Sequence, residues 1–114
     1  LLLPRVALAV HHGGAGTTAA VARAGVPQIV VPHLADQFYW GHQMHRRGLG
    51  SRLIPRNALT ASRLAWAIDQ VLSRPAIAGR AREVATSLAG TDGVQALARH
   101  LDGVLSRARA RRAA

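Results

Sequence analysis

The sequence predicts an α/β fold: a small parallel sheet flanked by helices, running on into a helical C-terminal portion. Three observations carry this. Two short apolar runs, "RVALAV" and "QIVVP", have the length and composition of buried strands. Between them lie a glycine turn and enough residues for one helix, which makes a βαβ unit, and such a crossover makes its two strands parallel. Beyond Thr60 the apolar residues recur at helical rather than strand spacing.

Taken in order, Val6 to Val10 is the first expected strand, ending where the glycines begin. A helix should run from about Gly16 to Ala24. Gly25 stands where a left-handed residue closes a helix, and Pro27 bars continuation. Gln28 to Val31 reads as the second strand, ended by Pro32. The loop "HLAD" leads into a helix from Asp36 to Arg47 that stops at Gly48, and "GSRLIP" could supply a short third strand. Thr60 suits an N-cap for a helix with Leu64, Ile68, Val71 and Leu72 on one face. Pro75 suits the first turn of another, with Ile77, Ala81, Val84 and Leu88 in register. Asp92 could cap the last, whose stripe is Val94, Leu97, Leu101, Val104 and Leu105. All these stripes read as core.

The bulk properties set limits. The chain has 114 residues, 49% of them hydrophobic, which fits one folded domain, expected to span 1–114. It opens without Met at the entry to a strand, so an N-terminally truncated domain is expected. No cysteine is present, which excludes disulfides and thiolate metal sites and favours a cytoplasmic setting. No apolar run nears the ~18 residues of a membrane span, while peripheral membrane contact stays open. The formal charge of +10 comes entirely from arginine against five acids, and part of it is the tail "RARARRAA". Without aromatic interleaving or a nucleic-acid module, the tail reads as a solvated helix end, where arginine complements the macrodipole. No nucleic-acid partner is expected.

The stretch "HHGGAGTTAAVARAGVP" concentrates the chemistry. A strand, a glycine turn and a helix start make an anion site, because the first helical N–H groups lack internal acceptors and carry partial positive charge. Glycines at 13, 14 and 16 let backbone approach a phosphate; Thr17, Thr18 and an imidazole add donors. The turn is neither G-x-x-x-x-G-K-[ST] nor G-x-G-x-x-G. A metal site would need His11, His12, His42 and His45, but adjacent strand residues face opposite ways and no carboxylate completes a set. From pattern alone, a phosphate cradle and a tight turn around one core histidine both stand.

His11 to Gln37 resembles the donor-binding signature of UDP-dependent glycosyltransferases of the GT-B fold. Bacterial members from antibiotic and sterol glycosylation read H-H-G-G-A-G-T-T, then A-G-V-P, then A-D-Q, in this order. "IPRNALTASRL" is similar to a segment of the sterol-type branch, and the resemblance runs from about Leu3 to Leu105. It implies a Rossmann-like sheet in the C-terminal domain of a two-domain enzyme. It also implies inverting transfer of a sugar from a nucleotide diphosphate sugar, UDP-hexose or TDP-sugar, to a hydroxyl of a small lipophilic acceptor. Counting back from Ala24-Gly25-Val26-Pro27 places the signature histidine on His12. In this family His12 with Gly13, Gly14, Ala15, Gly16 and Thr17 would hold the diphosphate, and Asp36 and Gln37 the sugar hydroxyls.

The nucleotide sugar enters as co-substrate; no cofactor and no metal are implied. The general base and acceptor pocket would lie in the N-terminal domain, so no catalytic residue is expected in this chain. Ala20 stands where many relatives carry a ribose-binding Glu. His11 is expected to support the turn rather than touch ligand. Tyr39 and Trp40 could line the sugar site or pack in the core, nothing fixes the direction of His33, and His42 and His45 read as solvent-facing. The alternatives are a donor-binding subunit or remnant without catalysis and, third, a basic nucleic-acid-binding module.

Overall fold

The computed structural model describes residues 2–113. Its centre is the expected βαβ unit: β1 (Ala9–His11), α1 (Ala15–Arg23) and β2 (Gln28–Val30), with β1 and β2 parallel and Ala9, Val10 and His11 in register with Gln28, Ile29 and Val30. Four further helices follow: α2 (Asp36–Arg46), α3 (Ala61–Leu72), α4 (Pro75–Leu88) and α5 (Gly93–Ala113).

The first strand starts later than its apolar run. Leu3–Arg5 form a 3-10 turn around Pro4, and pairing begins only where the Ala9 N–H donates to the Pro27 carbonyl at 2.9 Å. His11 is thereby inside the strand, not beyond it. Gly25 and Gly48 end α1 and α2 with φ of 72° and 73°, as expected of left-handed closing residues. "GSRLIP" makes no third strand. Gly50 forms a single parallel bridge to Gln28, and the Ile54 N–H reaches the Val30 carbonyl at 3.0 Å before Pro55 stops the run. Gly50 is required there, since a Cβ would overlap the Gln28 carbonyl oxygen.

The core lies on both sides of β2. Ile29 packs with Ala67 and Val71 of α3, joined by Leu8, Ile54, Leu64, Ile68 and Ile77; Met44, Leu49 and Ala81 form a second cluster with Val84. The caps expected at Thr60 and Asp92 are present, and Pro75 opens the first turn of α4. Leu72, expected on the buried face of α3, is exposed.

The stripe of α5 is not core. Val94, Leu97, Leu101, Val104 and Leu105 are all exposed, Val94 at 78%. The helix leaves the globule, which is why the molecule measures 68 × 29 × 25 Å. An amphipathic pattern identifies an apolar face, not whether the same chain supplies its cover. No helix of the described residues is long and apolar enough to cross a membrane.

Candidate functional site

The candidate residues meet at the carboxyl end of the two strands. In open parallel sheets this is the end at which ligands bind, since the crossover helices begin there. Gly13 brings the two halves of the signature together. It has φ 91°, and a Cβ on it would lie 2.6 Å from Val30 Cγ1 and 3.0 Å from the Gln37 carbonyl oxygen. Only glycine lets the turn after β1 back directly onto the start of α2. His12 to Thr17 and Asp36–Gln37 are therefore neighbours in space.

The start of α1 is open. Its N-cap is Gly14, which has no side chain to accept from the first turn, and no acid lies in that turn. The Thr18 N–H returns to the Gly14 carbonyl at 2.9 Å, while the N–H groups of Ala15, Gly16 and Thr17 precede the first internal acceptor. Gly16 faces open space. His12 is exposed, and its ring lies over Gly14: a Cβ there would meet His12 Nε2 at 2.7 Å. An imidazole nitrogen thus stands at the mouth of a helix whose leading amides point outward.

His11 points the other way, as its neighbour's opposite on the strand must. The Gly13 N–H donates to His11 Nδ1 at 3.0 Å, so that nitrogen is the lone-pair side and Nε2 carries the proton. Nε2 in turn donates to Gln28 Oε1 at 2.7 Å. Burial pulls the His11 imidazole below its usual range, the Gln28 hydrogen bond opposes this, and the adjacent His12 adds to the lowering. His11 supports the turn and is neutral.

Gln28 is the residue that sequence reasoning missed. It is 1% exposed, and its side-chain NH2 donates to the Thr18 carbonyl at 3.3 Å and contacts Met44 Sδ at 3.5 Å. The available signal was a polar residue opening an otherwise apolar strand, directly after Pro27. Thr18 Oγ1, also buried, has no hydrogen-bond partner among the described residues.

At the second half, Gln37 Oε1 accepts from the N–H groups of His33 (2.7 Å) and Leu34 (3.2 Å). This closes the "HLAD" loop around Ala35, whose φ of 52° and ψ of −131° cost a non-glycine residue about 1–3 kcal/mol. The Gln37 oxygen is thereby occupied, and its NH2 remains as donor. Asp36 is exposed and has no hydrogen bond or ion pair among the described residues. Tyr39 and Trp40 meet edge to face at 5.1 Å, Tyr39 exposed and Trp40 half-buried. His33 and His42 are exposed, and His45 Nδ1 lies 3.4 Å from the Gly50 carbonyl. A hollow of about 370 Å³ lined by Pro4, Gly25, Pro27, Leu72 and Arg82 opens at the opposite, amino end of the strands, away from these residues.

The sequence and the fold have counterparts among known proteins. The chain is 42% identical over 94 residues to O-mycaminosyltylonolide 6-deoxyallosyltransferase of Streptomyces fradiae, covering 82% of this chain and 22% of that protein. It is 41% identical over 95 residues to a sterol 3-beta-glucosyltransferase of Arabidopsis thaliana, covering 83% and 15%. The chain therefore spans about a fifth of these relatives or less. The solved structure of the glycosyltransferase VinC in complex with dTDP superposes with a TM-score of 0.81 at 30% identity, over 93% of this chain and 27% of that one. The spinosyn rhamnosyltransferase SpnG gives a TM-score of 0.77 at 28% identity, over 88% and 27%. The fold is that of the C-terminal domain of GT-B glycosyltransferases. The model of the Erythromycin biosynthesis protein CIII-like C-terminal domain matches residues 1–102, through both strands and the first four helices, and the chain belongs to that family of glycosyltransferase domains.

Proposed function

We propose that residues 1–114 act as one unit, the donor-binding half of an inverting glycosyltransferase, and that the diphosphate of a nucleotide sugar sits on the start of α1. The observation that carries this is the uncapped Gly14 helix start with His12 over it, at the carboxyl end of β1. The neighbours VinC and SpnG were solved with thymidine diphosphate, which supports a nucleoside diphosphate as a ligand of this fold.

In this reading the amides of Gly14, Ala15, Gly16 and Thr17, the Thr17 hydroxyl and the His12 N–H donate to phosphate oxygens. Gly13 contributes by its backbone shape, since its own N–H is committed to His11. The Asp36 carboxylate accepts from sugar hydroxyls and the Gln37 NH2 donates to them. The acceptor oxygen attacks the anomeric carbon, the bond from that carbon to the diphosphate oxygen breaks, and the acceptor proton passes to a base outside this chain. Charge grows on the departing diphosphate, and donors already in place at the helix start stabilise it most at that moment. The acceptor is lipophilic in this reading, sterol- or macrolide-like, which the named relatives support.

Calorimetry of the purified chain with UDP and with dTDP, beside a transfer assay, tests this. Saturable binding of a nucleoside diphosphate without acceptor-dependent transfer is expected, because proton removal needs a base within hydrogen-bond reach. Failure to bind either diphosphate overturns the reading. Transfer by the chain alone overturns the placement of the base.

A further inference from the structure

We infer that Gln28 is the positioning residue of the diphosphate cradle, holding the glycine turn through His11 and the first turn of α1 through Thr18; this rests on the donor-binding reading above. The directions of the hydrogen bonds leave one consistent arrangement. A backbone N–H can only donate, so Gly13 fixes His11 Nδ1 as acceptor and places the imidazole proton on Nε2. That proton needs an acceptor at 2.7 Å, which is Gln28 Oε1. The amide orientation is then set, and its NH2 faces the Thr18 carbonyl, which can only accept, with Met44 Sδ beyond.

The chain of bonds clamps both walls of the cradle. His12 lies between two fixed points, the His11 ring and the Gly13 amide, so the direction in which its side chain leaves the strand is set from below. Thr18 sits one turn into the helix whose leading amides face out. An apolar side chain would fill the same space, since Ile29 and Val30 follow in the same strand and are equally buried. Burying an amide is unfavourable unless its hydrogen bonds are made, and here each polar atom has a partner. Preorganising a site within a fraction of an ångström is the use to which such supporting bonds are put.

The test compares wild-type chain, Gln28→Met, His11→Ala and the double variant. It reads dTDP affinity by calorimetry, melting by circular dichroism and the His11 tautomer by imidazole nitrogen resonance. Wild type should show the Nε2–H tautomer. Gln28→Met, close in volume but without the acceptor, should leave the His11 Nε2 proton unpaired and weaken dTDP binding about tenfold. His11→Ala should give a similar loss, and the double variant no more than either single one, because the two act in series. Wild-type affinity in Gln28→Met, or losses that multiply in the double variant, would overturn the inference. If Gln28→Met does not fold, a dominant Nδ1–H tautomer in wild type overturns it without any variant. Wild-type chain that binds neither dTDP nor UDP marks failure of the donor reading itself. Wild-type binding with insensitive variants marks failure of the positioning role alone.

Discussion

Helices α1 and α3 begin in opposite ways. Both follow an extended residue, but at α3 the Thr60 hydroxyl accepts the Arg63 N–H at 3.2 Å, closing the first turn. At α5 the Asp92 carboxylate does the same for Val94 and Gln95 at 3.0 and 3.1 Å. Helix α4 starts on Pro75, which has no N–H to leave unpaired, and α2 carries Asp36 in its first turn. Among the five α-helices of the described residues, α1 alone has no capping side chain, no proline and no acid in its first turn. Side chains close the starts of α3 and α5, while the start of α1 has neither a cap nor a neighbouring acid. The open start is also the one with an exposed histidine over it and a rigid turn beneath it. The proposed diphosphate site rests on this contrast.

The comparison can be broken most severely at its hinge. Gly13→Ala meets Val30 and the Gln37 carbonyl at a φ of 91°, so strain and overpacking together should cost about 3 kcal/mol or more. Gly16→Ala, two residues before Thr18 and in open space, should instead stabilise the helix by about 0.5–1 kcal/mol while lowering diphosphate affinity. Thermal melts and dTDP titrations of the two variants check both halves. A Gly16→Ala chain that is more stable and binds as well as wild type would remove Gly16 from the cradle.

Next in size is the exchange of roles between the two helix starts. His12→Ala should cost about 1.5–3 kcal/mol of dTDP binding, ten- to a hundred-fold, with an unchanged melt. Thr60→Ala should do the reverse, losing about 1 kcal/mol of stability and no affinity. Equal effects of both on stability would mean that α1 and α3 start alike.

How much of this was legible depended on how local the signal was. The ends of α1 and α2 could be read because Gly25 and Gly48 act within one turn of themselves. The caps at Thr60 and Asp92 follow the same logic. The His11–Gln28–Thr18 network could not, because its members come from both strands and α1 and meet only after folding. The strained Ala35 and the capture of Gln37 Oε1 by His33 and Leu34 are likewise tertiary facts. The α5 stripe was misread for a related reason. Val94, Leu97 and Leu101 repeat like the buried faces of α3 and α4, and periodicity alone does not say that a partner surface lies within reach. The glycine turn and Asp36–Gln37 belong to one signature in sequence, while their contact through Gly13 emerges only in three dimensions.

The smallest predicted effect is on pH. His11 is held neutral, with its affinity for a proton lowered by burial, so between its folded and unfolded pKa the unfolded chain binds more protons. Its contribution to stability is present above the ordinary histidine value of about 6.5 and is lost as pH falls through the lower folded value. Melting of the wild type should therefore drop below about pH 6.5 more than that of His11→Ala, which lacks the group. Parallel curves for the two would show that His11 is not held neutral by the turn.

The claim that the open start of α1 is completed by a diphosphate is tested most directly by amide resonances of the nitrogen-labelled chain during titration with dTDP and UDP. The account predicts saturable shifts at Gly14, Ala15, Gly16 and Thr17, with the His12 ring, while the capped starts at Ala61–Arg63 and Val94–Gln95 stay still. Saturable shifts that leave Gly14–Thr17 unmoved, or that appear equally at the capped starts, would contradict it.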